Sequence, residues 1–241
     1  MEGNNLFSIE RTQAFFQVFI DGKFYLTVLD GIYNTLLLTF IATSIGLLIG
    51  LVVALIQIAE VPEKKGASTF FTKLLKLIAK IYVDIIRGTP VVVQISFLWL
   101  VVLGPLDLPR VLVGGLAFAI NSGAYMSEVI RGGIESIDKG QMEAGRSLGL
   151  SYKQTMQFII LPQAIKQMLP ALVNEFINLI KETAIIGFIG GMDLMKAANI
   201  MIGTTYNYEI PLLMVAIIYL AMTMVLTRFM RVIEKNLSNG K

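Results

Sequence analysis

The 241-residue chain contains no cysteine and no histidine, and only 15% of it is charged. Without cysteine there is no disulfide framework and no thiol redox chemistry. Without histidine the commonest general base near neutral pH is missing, and so is the commonest transition-metal ligand. An enzyme built from what remains would rely on paired carboxylates or Ser-Lys chemistry, and no spacing singles out such a pair. No catalytic residue and no metal site is therefore expected. No G-x-x-x-x-G-K-[ST] run occurs either, so no nucleotide-binding loop is expected in this chain. The start does not read as a cleavable leader, because the first 30 residues carry Glu2, Glu10, Asp21 and Asp30 and lack a basic start followed by an apolar core.

What is abundant is apolar: 55% of the residues are hydrophobic, in long runs. An ordinary soluble domain is about 25% charged, and its apolar residues come in short periodic stretches. Here residues 31–59 and 210–227 contain no charge at all. Roughly 20 mostly apolar residues cross the hydrocarbon as a helix. The chain is therefore expected to be an all-α integral membrane protein of about five transmembrane helices, in contact with the lipid bilayer. Its formal net charge of +3 reads as a topology signal, and no nucleic-acid partner is expected.

Residues 1–30 mix aromatics and charges, as in Ala14-Phe15-Phe16-Gln17-Val18-Phe19-Ile20, and read as an interfacial, amphipathic lead-in. A single transmembrane domain is expected over 31–235, with spans at about 31–59, 76–103, 111–131, 164–189 and 209–230. Residues 132–160 form a polar loop and 236–241 a tail. A charged connector with five lysines runs from Glu60 to Lys80. Pro90, in Arg87-Gly88-Thr89-Pro90, lacks an amide donor and disfavours helical geometry at Thr89, so the second span should break there. Asp84 and Arg87 are three residues apart and are expected to pair within the helix. With the N-terminus outside, the inner segments 60–80, 131–166 and 228–241 hold 5, 5 and 4 basic residues; the outer segments hold Arg11, Lys23, Arg110 and Lys196. This asymmetry predicts an outer N-terminus and a cytoplasmic C-terminus.

The polar segment between spans three and four is then cytoplasmic. Ser136 or Asp138 can cap a first short helix, Gly149 can stop it in a left-handed turn, and Ser151 with Gln154 makes a capping box for a second. Between them lie Met142, Ala144, Gly145 and Leu148, too little apolar surface to pack as core. These signals fit an ordinary solvated loop or an exposed docking knob.

The pattern Glu143-Ala144-Gly145, then Gly149 four residues on, then nine residues, then Ile159-x-Leu161-Pro162 resembles the signature loop of ABC importer permeases. The family consensus has alanine where this chain has Gly145. Similarity extends over roughly residues 30–235. It includes Arg87-Gly88-Thr89-Pro90, Asn121-Ser122-Gly123-Ala124-Tyr125 through Glu128, Arg131-Gly132-Gly133-Ile134, Leu169-Pro170-Ala171 and Asn174-Glu175-Phe176. These look like the polar amino-acid (histidine/glutamine/arginine permease-like) branch. The resemblance implies a type I importer permease fold in a bacterial plasma (inner) membrane, with no cofactor in this chain. It implies a separate ATPase dimer that binds ATP and Mg and is gripped through Asp138, Met142, Glu143, Ala144, Gly145, Ser147, Leu148 and Gly149. It also implies a second copy or a related permease, and an extracytoplasmic binding protein that delivers the amino acid.

Polar residues inside a span normally face the bundle interior or a watery path. On a wheel of about 100° per residue, Asn174, Glu175, Asn178, Lys181 and Glu182 of span four share an arc of about 120°. Asn121, Ser122, Tyr125 and Glu128 of span three form a second stripe. Such stripes offer acceptors for an ammonium group and donors for a carboxylate, as a substrate path would, or they serve as interhelical glue with Lys181 paired to Glu182 or Glu175. Gln94 is either glue or a path contact. A self-sufficient secondary transporter would show more spans and repeated halves.

Overall fold

The computed structural model describes residues 9–62 and 66–239. These are helical apart from short connections: α1 Ile9–Asp21, α2 Phe24–Ile58, α3 Ala67–Gly88, α4 Val91–Phe97, α5 Arg110–Glu135, α6 Lys139–Ser147, α7 Tyr152–Thr155, α8 Leu161–Glu182, α9 Ile185–Phe188, α10 Leu194–Thr205 and α11 Glu209–Asn239. Wider π turns extend α4 over Leu98–Leu103 and join α7 to α8 over Met156–Ile160.

Among the described residues, three stretches are long and apolar enough to cross a membrane: Phe24–Ile58, Tyr152–Phe188 and Glu209–Val232. The pair Ala67–Gly88 and Val91–Leu103, bent by 112°, is long and apolar enough when taken together and makes a fourth if the two count as one span. The break falls at Thr89-Pro90, where the missing amide donor predicts it. The fifth expected crossing is α5, whose 26 residues reach about 39 Å. It carries five glycines, and other helices enclose it; Gly114, Gly115, Ala117, Ala119, Asn121 and Ser122 are all buried.

The spine of the fold is the crossing of α2 and α5. On α2, Leu38, Ala42, Gly46, Gly50 and Ala54 repeat every four residues and are all buried. They form one stripe of small side chains on which a second backbone lies close. A Cβ at Gly50 would sit 2.8 Å from Met126 Cβ, 3.0 Å from Ser127 N and 3.1 Å from Gly123 O. One core cluster gathers Leu38, Ile95, Trp99, Phe118 and Leu179 around this crossing. In α1, Phe15 is buried and packs with Leu194, Ala197 and Met201 of α10. The lead-in ends at Lys23, in left-handed conformation, and α2 begins at Phe24, earlier than the span expected from residue 31.

One end of the bundle is tied by Asp193, which is fully buried. It caps α10 by accepting from Lys196 N at 2.7 Å, and it receives the Tyr219 hydroxyl at 3.3 Å. Thr35 of α2 accepts from Leu194 N at 3.1 Å. Burial lifts the Asp193 carboxyl to about 6, against the pull of these donors.

Candidate functional site

The loop between α5 and α8 folds as its capping signals direct. Asp138, not Ser136, caps α6, accepting from Gly140 N at 2.6 Å. Ser136 instead donates to Gly133 O at 2.8 Å and bonds Gln167 of α8. Gly149 has φ +83°, the left-handed conformation that suits glycine. Leu150 N donates to Gly145 O at 3.1 Å and Gly149 N to Arg146 O at 3.0 Å, the paired bonds of a Schellman stop. The Ser151–Gln154 capping box is complete.

Gly145, where the chain departs from the importer pattern, is the one buried residue of α6. A Cβ there would meet the Thr155 side chain at 2.5 Å and 2.9 Å and Ile159 Cδ1 at 3.2 Å. The glycine lets α6 lie directly on the turn that follows. Glu143, Ala144, Ser147 and Leu148 are exposed, while Met142 is half-buried with Met156 and Ile159 in the supporting cluster. Leu148 is 81% exposed. The result is a short rigid knob with an uncovered leucine.

The stripe of α5 is occupied by interhelical bonds. Asn121 is 2% exposed and donates to Gln94 Oε1 at 2.6 Å. Gln94 Nε2 donates to Ile86 O at 2.7 Å, Thr89 O at 2.9 Å and Thr89 Oγ1 at 2.6 Å. Ile86 and Thr89 lie just before Pro90, so one amide serves the carbonyls freed by the break. Ser122 is fully buried, with its hydroxyl 3.4 Å from Ala42 O. Replacing Gln94 with leucine orphans those carbonyls and the Asn121 amide, at about 1–3 kcal/mol for each group left buried. The purified Gln94→Leu protein should melt several degrees below the parent, and Asn121→Ala by less; equal melting points would refute this role.

Arg87 does not pair with Asp84. It reaches Glu128 Oε2 at 3.3 Å and lies 5.9 Å from the Tyr125 ring centroid. Glu128 is also held by Arg131 at 2.8 Å, and Arg131 by Glu135. The packing of α3 on α5 through Val83, Ile86 and Ala124 brings Arg87 to Glu128 and Tyr125, two tertiary partners in place of the local one.

The five polar residues of α8 separate. Asn174, Asn178 and Lys181 are exposed, in a row of spacing four and three that no other helix of the chain covers. Glu175 and Glu182, seven residues apart, are half-buried. Lys181 pairs with neither glutamate: the ion pairs among the described residues are those of Arg87, Glu128, Arg131 and Glu135. Glu182 is adjacent in sequence and projects about 100° away, and Glu175 about 120° away. Asp193, which ties α10 to α11, was not singled out by sequence; its signal was a lone aspartate just before the helical run Leu194-Met195-Lys196. Among the described residues no group of acidic side chains is arranged to hold a metal.

The family described as binding-protein-dependent transport system inner membrane component matches residues 46–239. The chain belongs to this family. It is 41% identical over 220 residues to the putative glutamine transport system permease protein of Rickettsia typhi, covering 89% of this chain and 96% of that one. It is 37% identical over 221 residues to the arginine transport system permease protein of Bacillus subtilis, covering 88% and 93%. Its structure matches the crystal structure of an amino acid ABC transporter with histidines at a TM-score of 0.78 and 40% identity, covering 89% of this chain and 95% of that one. The inner-membrane transport fold expected from Glu143 to Pro162 is thereby established for this permease. The family's description names a transport component.

Proposed function

We propose that this permease forms one half of the membrane passage of an ATP-driven importer of polar L-amino acids. An extracytoplasmic binding protein hands over the substrate, and a separate ATPase dimer, holding ATP and Mg, drives the cycle through the loop around Glu143–Gly149. The second half of the passage is another copy or a related permease. The observation that carries the reading is the knob itself: a helix capped at Asp138, stopped at Gly149 and seated by Gly145, with Leu148 left bare. A solvated loop gains nothing from such rigidity, whereas a lever gripped by a partner requires it. The basic asymmetry supports a cytoplasmic knob and an outer N-terminus.

For the cargo, the names of the glutamine and arginine relatives support a polar amino acid. Asn174, Asn178 and Lys181 supply donors suited to an α-carboxylate, and the half-buried Glu175 and Glu182 supply acceptors suited to an α-ammonium. Tyr125, Glu128 and Arg87 form a network by the helix break. Asn121, Ser122 and Gln94 support the shape of the path rather than its lining.

The test is reconstitution into vesicles with a candidate partner ATPase and a candidate binding protein. ATP hydrolysis should rise when glutamine or arginine is supplied with the binding protein, and uptake should require ATP. Amino-acid movement by this chain alone, without ATPase or nucleotide, would overturn the reading.

A further inference from the structure

Packing within the chain accounts for only part of α3. Its buried residues, Ala79, Val83 and Ile86, all lie in its second half. Val83 and Ile86 pack with Val53 of α2 and Ala124 of α5. Beside that sector, Thr69, Lys73, Lys76, Lys80, Asp84 and Arg87 fall within an arc of about 80°. The remaining face carries Phe70, Phe71, Leu74, Leu77, Ile78 and Ile81, between 39% and 65% exposed. One helix thus presents a row of cations edged by a broad apolar face that nothing among the described residues covers.

Two hydrogen bonds fix where this row lies. Thr69 Oγ1 donates to Pro62 O at 3.2 Å, tying the first turn to the connector after α2. Tyr82 donates to Ile120 O at 2.5 Å, tying the other end to the middle of α5. The helix climbs from the membrane boundary into the bundle, and Lys73, Lys76 and Lys80 lie within about 17 Å of Thr69 along its axis. Lysine stems that start at acyl depth can carry their ammonium groups back to headgroup level. None of the three forms an ion pair among the described residues. Asp84 is the only acid on the helix, and Arg87 is committed to Glu128.

We propose that α3 is a binding site for an anionic phospholipid, with the headgroup phosphate held by Lys73, Lys76 and Lys80 and the acyl chains lying along Phe70, Leu74, Leu77 and Ile81. Charge complementarity selects this occupant. A zwitterionic lipid would satisfy the apolar face but not three uncompensated cations, and a protein partner would need acids to match them. The siting of this lipid in the cytoplasmic leaflet rests on the orientation proposed above; the preference for an anionic headgroup does not.

The absence of cysteine from the chain makes the test clean. Leu77→Cys, at an exposed position beside the row, is labelled with bimane in the full-length protein and reconstituted with brominated phosphatidylglycerol or brominated phosphatidylcholine. Each lysine beside an anionic surface contributes up to about a fivefold gain in association. Quenching should show phosphatidylglycerol preferred by about fivefold or more. That preference should weaken as salt is raised, and it should vanish in Lys73→Gln/Lys76→Gln/Lys80→Gln. Arg228→Gln/Arg231→Gln, which removes basic charge from α11, should leave it unchanged. Equal quenching by both lipids overturns the proposal, as does equal loss in the two charge variants. Protection from both lipids also overturns it, because α3 would then be covered by a second copy or another protein. Failure of ATP-dependent uptake would leave these outcomes unaffected, so the two readings fail separately.

Discussion

Replacing Gly50 with leucine should cost this protein more stability than any single change on its lipid-facing surface. The first atoms a side chain would meet at Gly50 include Ser127 N at 3.0 Å and Gly123 O at 3.1 Å, both backbone of α5. No rotamer change relieves a clash with backbone, so α2 and α5 must move apart along their whole crossing. Overpacking typically costs about 1–3 kcal/mol, and a forced backbone separation belongs at the upper end. For a chain of this size that is a fall of roughly 6–12 °C in melting temperature. Gly46 gives the internal comparison. The first atom a side chain meets there is the Ser122 hydroxyl, which can rotate, and the next is Ala119 O at 3.4 Å. Gly46→Ala should therefore be milder than Gly50→Ala. Leu48→Ala, on the face where Leu48 is 64% exposed, should change little in detergent. Melting curves on the purified variants decide it, and a Gly50→Leu protein as stable as the parent would mean the close crossing is not the spine of the fold.

The sequence makes some of this architecture legible because its signals are local. The Asp138 cap, the left-handed stop at Gly149 and the Ser151–Gln154 box each depend on residues within a few positions, and each forms as expected. The break at Pro90 is equally local. What escapes a sequence reading is the choice between a local partner and a distant one. Arg87 has Asp84 one turn away, yet it pairs with Glu128, 41 residues on, because α3 packs on α5. A helical wheel gives the angle between side chains but not which sector another helix covers. That is why the five polar residues of α8 read as one stripe, although three are exposed and two are half-buried. Gly145 is the converse case. As a departure from the family pattern a glycine lowers helix propensity, and only its distance to Thr155 gives it a packing reason.

Leu148→Asp should abolish most of the grip between this permease and its ATPase without disturbing the spans. Leu148 is 81% exposed and contributes almost nothing to the packing of the chain itself. Its loss should therefore leave the melting temperature unchanged. In a docked complex the same residue is the large apolar group on an otherwise small and polar knob of Glu143, Ala144 and Ser147. A central apolar anchor of this kind carries about 2–4 kcal/mol of binding, and an unpaired carboxylate buried in its place adds to the penalty. Affinity for the ATPase should fall by at least about 30-fold, with ATP-dependent uptake lost in proportion. Gly149→Ala tests the knob's shape separately from its contact. Forcing a Cβ into the left-handed stop costs about 1–2 kcal/mol, so the helix should fray and binding weaken less than in Leu148→Asp. Co-purification and titration of the ATPase against each variant in detergent would measure both. Undiminished binding by Leu148→Asp would remove this knob from the coupling interface and return it to an ordinary solvated loop.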